Sequence, residues 1–345
     1  MLVAALGRQK CPEFERQSDW MEVIFMDDCS TDSTVATLRR ELGQLSDITH
    51  VQVVQNTCNI GLSATLNKAI TLAQAPIILT CHCDCEFGSD SYVSQMIELM
   101  ENHPSAGAIA GQSAIPEARS ISMIEKFNLI ANLQDIFPSS EQGLLPVGFA
   151  EGRCDAFRKE VLVKSGCYDQ RLRLAGEDQI LAAMFRALGF EVYIAPSQKF
   201  YISVSENQNT LPKLISHAGL YGRVAPSILF HSSEARQGIF GKKSGENRFR
   251  RGLLRLNHLI SSFAYVMSAL LIPTGTTLAA KTLPLLAIVL MKLYLFLPHM
   301  RAIRLNFAEL ALFVAVQPLM DLSYSAGFAQ GLVFRIFLGK NSRIN

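Results

Sequence analysis

Two apolar runs end in carboxylates. MEVIFMDD closes on Asp27 and Asp28, and APIILTCHCDCEF carries Asp84 and Glu86. Side chains of an extended chain alternate. That puts Leu79, Cys81, Cys83 and Cys85 on one face of the second run, and Thr80, His82, Asp84 and Glu86 on the other. Successive same-face positions lie about 6–7 Å apart, so Asp84 and Glu86, with His82 beside them, can reach one divalent cation. Oxygen donors combined with diphosphate oxygens are what Mg²⁺ or Mn²⁺ prefers. An acidic loop at a strand end is the blander reading. The three cysteines read as small hydrophobes in a core. Zinc would need converging ligands, and here Cys and His point opposite ways. A third acidic pair, Glu177 and Asp178 in GEDQI, opens a helical pattern, where carboxylates suit the N-terminus.

The elements that must position these groups follow from periodicity. MEVIFMDD, THVQVVQN, APIILTCHCD and AGAIAGQSAI read as strands. CSTDSTVATLRREL, NIGLSATLNKAITLAQ and SDSYVSQMIELMENHP read as intervening helices, the first capped from Ser30, Thr31 or Asp32. This alternation predicts an α/β domain: a mostly parallel sheet flanked by helices. Ligands of such sheets bind beyond the carboxyl ends of the strands. The two acidic strand ends therefore belong to one expected site.

With 345 residues and 49% hydrophobic content, the chain can hold one such domain and something further. A formal net charge of +2 gives no global case for nucleic-acid binding. The opening MLVAALGRQKCPEFERQ lacks a secretory signal pattern, so the soluble part is expected in the cytoplasm with its eight cysteines reduced.

With both acidic strand ends in place, the chain resembles a family 2 glycosyltransferase of the GT-A fold over roughly residues 20–225. VIFMDDCSTDST is similar to the family's nucleotide-holding DDxSxDxT strand end, which implies nucleotide contacts for Asp27, Asp28, Ser30 and Asp32. NIGLSATLNKAI resembles the glycine turn and helix that add Asn59 and Gly61, with Ser63 and Asn67 either joining them or facing solvent. HCDCEF sits where the family carries its metal-binding DxD, read as His82-Cys83-Asp84 or Asp84-Cys85-Glu86. FAEGRCDAFRKEVLVKSGCYDQRL resembles the stretch lining the sugar and acceptor side, which implies Gly152 and Arg158 there. GEDQILAAMFRALGFEVYIAP resembles the ED-containing helix, which implies Asp178 as the base with Glu177 beside it. The resemblance further implies a nucleotide-diphosphate sugar donor, a divalent Mg²⁺ or Mn²⁺, and inversion in a single displacement.

Three departures stand beside it. The family's opening apolar strand, which lies centrally in the sheet, does not precede the first helix, so a truncated or catalytically inactive membrane scaffold is the competing expectation. The DxD is mixed. Leu66 replaces a frequent arginine, and no QxxRW follows, which favours single-sugar addition over processive synthesis. Tyr221 and Arg223 belong to an interfacial helix or touch the acceptor.

The C-terminal third is different. A basic stretch from Lys242 to Arg255 precedes LISSFAYVMSALLIPTGTTLAA and LPLLAIVLMKLYLFL, which approach the ~20 residues that cross a bilayer. A third run carries Glu309, Pro318 and Asp321 and reads as a broken helix lining a groove. The expected organisation is a GT-A domain over 1–230, a basic juxtamembrane linker over 231–257, and a membrane region of two to three spans over 258–345. The expected setting is the inner cell membrane, with a lipid-linked or envelope-glycan acceptor and no nucleic acid.

Overall fold

The computed structural model describes residues 2–48, 50–114, 121–132, 143–150, 152–172, 175–203, 209–231, 248–271 and 277–338. A short helix, α1 (Leu2–Gly7), precedes β1 (Val23–Asp27), α2 (Thr34–Glu41), β2 (Val51–Gln55), α3 (Leu62–Leu72) and β3 (Ile77–Cys81). Then come β4 (Cys85–Phe87), α4 (Tyr92–Asn102), β5 (Ala106–Ala114), α5 (Met123–Asn132), β6 (Leu145–Pro146), β7 (Cys154–Arg158) and α6 (Lys159–Lys164). The GEDQI helix is α7 (Glu177–Ala187), followed by β8 (Glu191–Ile202) and α8 (Leu211–Leu229). Three long helices close the chain: α9 (Arg248–Leu271), α10 (Leu278–Ile303) and α11 (Phe307–Leu338). Most of the linker expected before them, residues 232–247, lies outside the described residues.

The sheet is mixed rather than mostly parallel. β1 pairs parallel with β2, and β5 parallel with β8, but β3–β7, β5–β7, β4–β8 and β6–β8 are antiparallel. The cause is β7, which returns reversed and inserts between β3 and β5 in the order β3-β7-β5-β8-β4. Periodicity reports strands and not their partners, so this insertion has no mark in the alternation. Among the described residues β1 pairs only with β2 and β3 only with β7, so the sheet is in two pieces.

The CHCDCEF stretch is not one strand. β3 stops at Cys81, residues 82–84 turn, and β4 joins the far end of the sheet order. Alternation therefore fails beyond Cys81. Cys85 is 1% exposed in the core, and Cys81 Sγ lies 3.4 Å from Cys154 Sγ across the β3–β7 register. Cys83 sits exposed on the turn, not in the core as alternation implied. All eight cysteines are free.

The last helices are joined to the domain by backbone-to-backbone packing. Gly219 and Gly222 of α8 lie against Ser323 and Tyr324 of α11, and Gly327 and Gly331 of α11 lie against the backbone of Gly219 and Arg223. Small residues let helix axes approach this closely. A Cβ at 222 would overlap the Tyr324 carbonyl. Gly222→Ala is therefore expected to cost about 1–3 kcal/mol, read as a lower unfolding midpoint in detergent. Gly43→Ala, with no atom within 4 Å of the added carbon, is the silent control. α11 runs unbroken through Pro318, which corrects the expected broken helix. Glu309 at its start pairs with Lys126 of α5 at 2.6 Å.

Helices α9 to α11 expose apolar side chains and bury a polar cluster within an otherwise apolar core that includes Leu295, Phe296, Phe313 and Met320. Phe263, Leu270, Leu283, Leu290, Val333 and Phe337 are exposed. Asn257, Lys292, Gln317 and Asp321 are buried. Phe307–Phe337 is the one helix among the described residues long and apolar enough to cross a membrane, and Leu256–Leu271 and Thr282–Leu297 are shorter apolar segments.

Candidate active site

The first acidic pair divides its work. Asp28 Oδ1 accepts hydrogen bonds from the Asn56 amide and the Ile60 N–H, both at 2.9 Å, and Oδ2 accepts from the Gly61 N–H at 2.8 Å. Gly61 has φ 88°, a conformation that glycine reaches without strain. Asp28 thus folds the 56–61 loop onto the end of β1, while Asp27 accepts from the Ser30 N–H at 3.1 Å. Asp32 caps the start of α2 through the Thr34 N–H, and Ser30 and Asn59 stay exposed. Burial pushes the Asp28 carboxyl up, but the hydrogen bonds from Ile60, Asn56 and Gly61 outweigh it and hold the group below the usual range.

That lowered value sets a pH test. A carboxylate with a depressed folded-state pKa adds stability above its unfolded value of about 3.9, and the gain is lost as pH falls through the folded value. Asp28→Asn is expected to cost about 1 kcal/mol at neutral pH, the low end for charged hydrogen bonds because the group is partly solvated. The gap to wild type narrows below pH ~4. Urea unfolding at several pH values checks both the size and the sign.

Helix α3 carries the loop's position to the second half of the site. Ser63 Oγ donates to the Leu172 carbonyl at 2.7 Å, and Asn67 bonds both ways with the Tyr168 backbone at 2.8 and 2.9 Å. Neither faces solvent in the way that short polar residues on such helices often do.

Asp84 and Glu86 part company. Asp84 Oδ2 lies 3.8 Å from the Arg153 guanidinium, and the His82 N–H donates to the Arg153 carbonyl at 3.0 Å. Glu86, on β4 opposite Tyr201, lies 3.8 Å from Arg8. Among the described residues no three His, Cys, Asp or Glu side chains gather as metal ligands. The expected His82–Asp84–Glu86 set is therefore not assembled, because the strand that would have aligned it ends at Cys81. His82 is half-buried, and desolvation of its ring, then the Arg153 charge, lowers its pKa. Asp84 alone remains as a half-buried carboxylate. One carboxylate with diphosphate oxygens still suits Mg²⁺ or Mn²⁺, whereas a cation held by the three side chains does not fit.

Gly152 and Arg158 lie at opposite ends of the β7 region. In the β3–β7 register Cys154 faces Cys81, the carboxyl end of β3, and Arg158 faces Ile77, its start. Gly152, at φ 76°, donates its N–H to Asp155 Oδ2 at 2.6 Å, and the space a Cβ would take there is empty. Arg158 is corrected to a structural role away from the sugar side. Its guanidinium donates to the carbonyls of Met100 at 2.7 Å and His103 at 3.3 Å, tying off the end of α4.

Helix α7 starts after Gly176, whose φ is 87°, and presents Glu177 and Asp178 in its first turn. Asp178 lines a small cavity with Gly152, Phe157, Tyr168 and Leu181. The Tyr168 hydroxyl on its wall, and Glu177 Oε2 next to Asp178 in the chain, are buried without a hydrogen-bond partner among the described residues. Burial raises the Glu177 carboxyl. Burial also raises Tyr168, aided by the charges of Asp155, Glu177 and Asp178. On α8, His217 meets Tyr221 edge-on at 4.6 Å, and burial, then the Arg153 charge, lowers its pKa.

Sequence reasoning missed Arg153, Tyr168 and His217. Arg153 had one faint signal, its place directly after the glycine of EGRC; Tyr168 and His217 had none that separated them from core and helix-face residues.

Residues 10–165 match the family model for glycosyl transferase family 2. No curated protein sequence matches the chain. Among solved structures, the mannosyltransferase PcManGT from Pyrobaculum calidifontis, in complex with GDP-Man and Mn2+, aligns with a TM-score of 0.59 at 16% identity, covering 96% of this chain and 81% of that one. TarS 1-349 from S. aureus, in complex with UDP-GlcNAc, aligns with a TM-score of 0.50 at 14% identity, covering 95% and 86%. These two are likenesses of fold. The family match over residues 10–165, on a mixed α/β GT-A-like fold, identifies a glycosyltransferase domain in the chain.

Proposed function

We propose that the protein is a membrane-anchored, inverting glycosyltransferase that moves one sugar from a nucleotide-diphosphate donor to a lipid-linked or envelope-glycan acceptor. The observation that carries the transfer chemistry is the cavity where Asp178 meets Gly152 and Tyr168. The nucleotide is held by the loop that Asp28 folds, with Asp27, Ser30 and Asn59 at its rim. Its diphosphate points to Asp84, and its sugar lies over Gly152, where the missing side chain leaves room. Asp178 takes the proton from the acceptor hydroxyl as that oxygen bonds to the anomeric carbon and the diphosphate departs from the opposite face. The α7 N-terminus favours its ionised form. A divalent cation, when bound, neutralises the leaving diphosphate, with Asp84 as its protein ligand; the Mn2+ in the PcManGT complex supports this reading.

The anchor rests on the apolar faces that α9 to α11 leave exposed, with Phe263, Leu283 and Phe337 outermost, around a core that also pairs Lys292 with Asp321. Exposed apolar faces around buried paired charges suit a bundle in lipid. The envelope-side acceptor follows from that anchor, which brings the domain to membrane-presented glycans, and the catalytic domain lies on the cytoplasmic side.

Calorimetric titration of detergent-purified protein with UDP and with GDP, with and without Mn²⁺, tests the reading. Binding of one of them is expected. Binding of neither leaves an inactive scaffold.

A further inference from the structure

We infer that Arg153 is a donor-binding residue whose guanidinium leaves Asp84 and takes the donor's diphosphate. The inference rests on the transferase reading above. Three observations on this chain point to it. First, Arg153 is fixed to the Asp84 turn from two sides: its carbonyl holds the His82 N–H at 3.0 Å, and its side chain pairs with Asp84. Second, that pair is loose. At 3.8 Å it is an ion pair without a hydrogen bond, and the two side chains keep 22% and 27% of their exposure, so the partners can be exchanged. Third, Glu86 is turned away to Arg8, so the turn offers one carboxylate and one guanidinium where the expected motif had two carboxylates and a histidine.

That change of composition alters what the turn can bind. Without donor, Asp84 and Arg153 neutralise each other. A diphosphate brings several negative charges, and a guanidinium meets phosphate oxygens in a bidentate fork that a carboxylate cannot hold as closely. Gly152, directly before Arg153, leaves the approach open because no side chain fills it. Asp84, released, is then free to carry a cation on the other phosphate oxygens.

The test compares nucleoside diphosphate with monophosphate, using whichever of the uridine and guanosine series binds, in EDTA and in Mn²⁺. Wild type is expected to prefer the diphosphate even in EDTA. Arg153→Ala should weaken diphosphate binding in EDTA by about tenfold while leaving monophosphate binding unchanged. Arg153→Lys, which keeps the charge, should recover part of the preference and guards against misfolding of the alanine variant. An unchanged diphosphate-to-monophosphate ratio in Arg153→Ala, or an equal loss of both ligands, overturns the inference alone. Absence of all nucleotide binding in wild type overturns the transferase reading, and this inference with it.

Discussion

Asp178→Asn is expected to lower turnover by roughly 10²–10⁴-fold with nucleotide affinity unchanged. The amide keeps the shape of the side chain and loses the basic oxygen that, on the proposed reading, takes the acceptor's proton. Because the residue lines the cavity with Gly152 and Tyr168, whereas Asp28 holds its loop through Asn56, Ile60 and Gly61, donor binding should not register the change. Glu177→Gln makes the comparison. Glu177 is buried with its carboxyl raised, so an uncharged amide resembles the state that burial favours. A loss of no more than about tenfold is expected there. Rates measured with saturating donor and acceptor, beside nucleotide titrations of each variant, separate chemistry from binding. Equal losses in both variants would remove Asp178 from the role of base.

Lys292→Met is expected to destabilise the helical region by about 3–5 kcal/mol. Lys292 is 7% exposed, and its ammonium donates to Asn257 and Asp321 at 2.7 Å and to Gln317 at 3.3 Å. Asp321 is 0% exposed and also receives the Tyr265 hydroxyl at 3.1 Å, with His258 Nδ1 2.6 Å away. Three helices therefore meet on one buried carboxylate. Removing the lysine leaves that carboxylate without its full countercharge, which costs more than the pair itself contributes. Lys292→Met combined with Asp321→Asn should recover about 1–3 kcal/mol of the sum of the two single losses. Unfolding midpoints in one detergent, taken through the full cycle, decide it. Additive losses would mean that the two groups act separately.

What was legible in the sequence was whatever depends on local pattern. The apolar run into Asp27 and Asp28 marks a strand end because it stops abruptly, and the helix after GED starts where its glycine and carboxylates say it should. What was not legible depends on where a strand goes next. Alternation through CHCDCEF assumed one continuous strand; a three-residue turn sends β4 across the sheet and Glu86 to Arg8. Arg158 and Arg153 stand five residues apart in one quoted stretch, and only the β3–β7 register separates the arginine beside Asp84 from the one that ties off a helix. Asp321 stood out as a charge in an apolar run, but its partners Lys292 and His258 come from other helices, and no spacing within one helix could name them.

The glycine contacts between α8 and α11 leave nothing for the two helices to slide on. The Arg335 guanidinium at the far end of α11 grips the Phe230 carbonyl just past α8, which closes the joint at its other end. The two helices therefore move as one body. On the proposed reading, with α11 seated in a bilayer, the height of the domain above the lipid surface would be a constant of the molecule. An acceptor would then be measured before it is recognised: a hydroxyl presented too near the headgroups, or too far from them, would never meet Asp178, whatever its sugar.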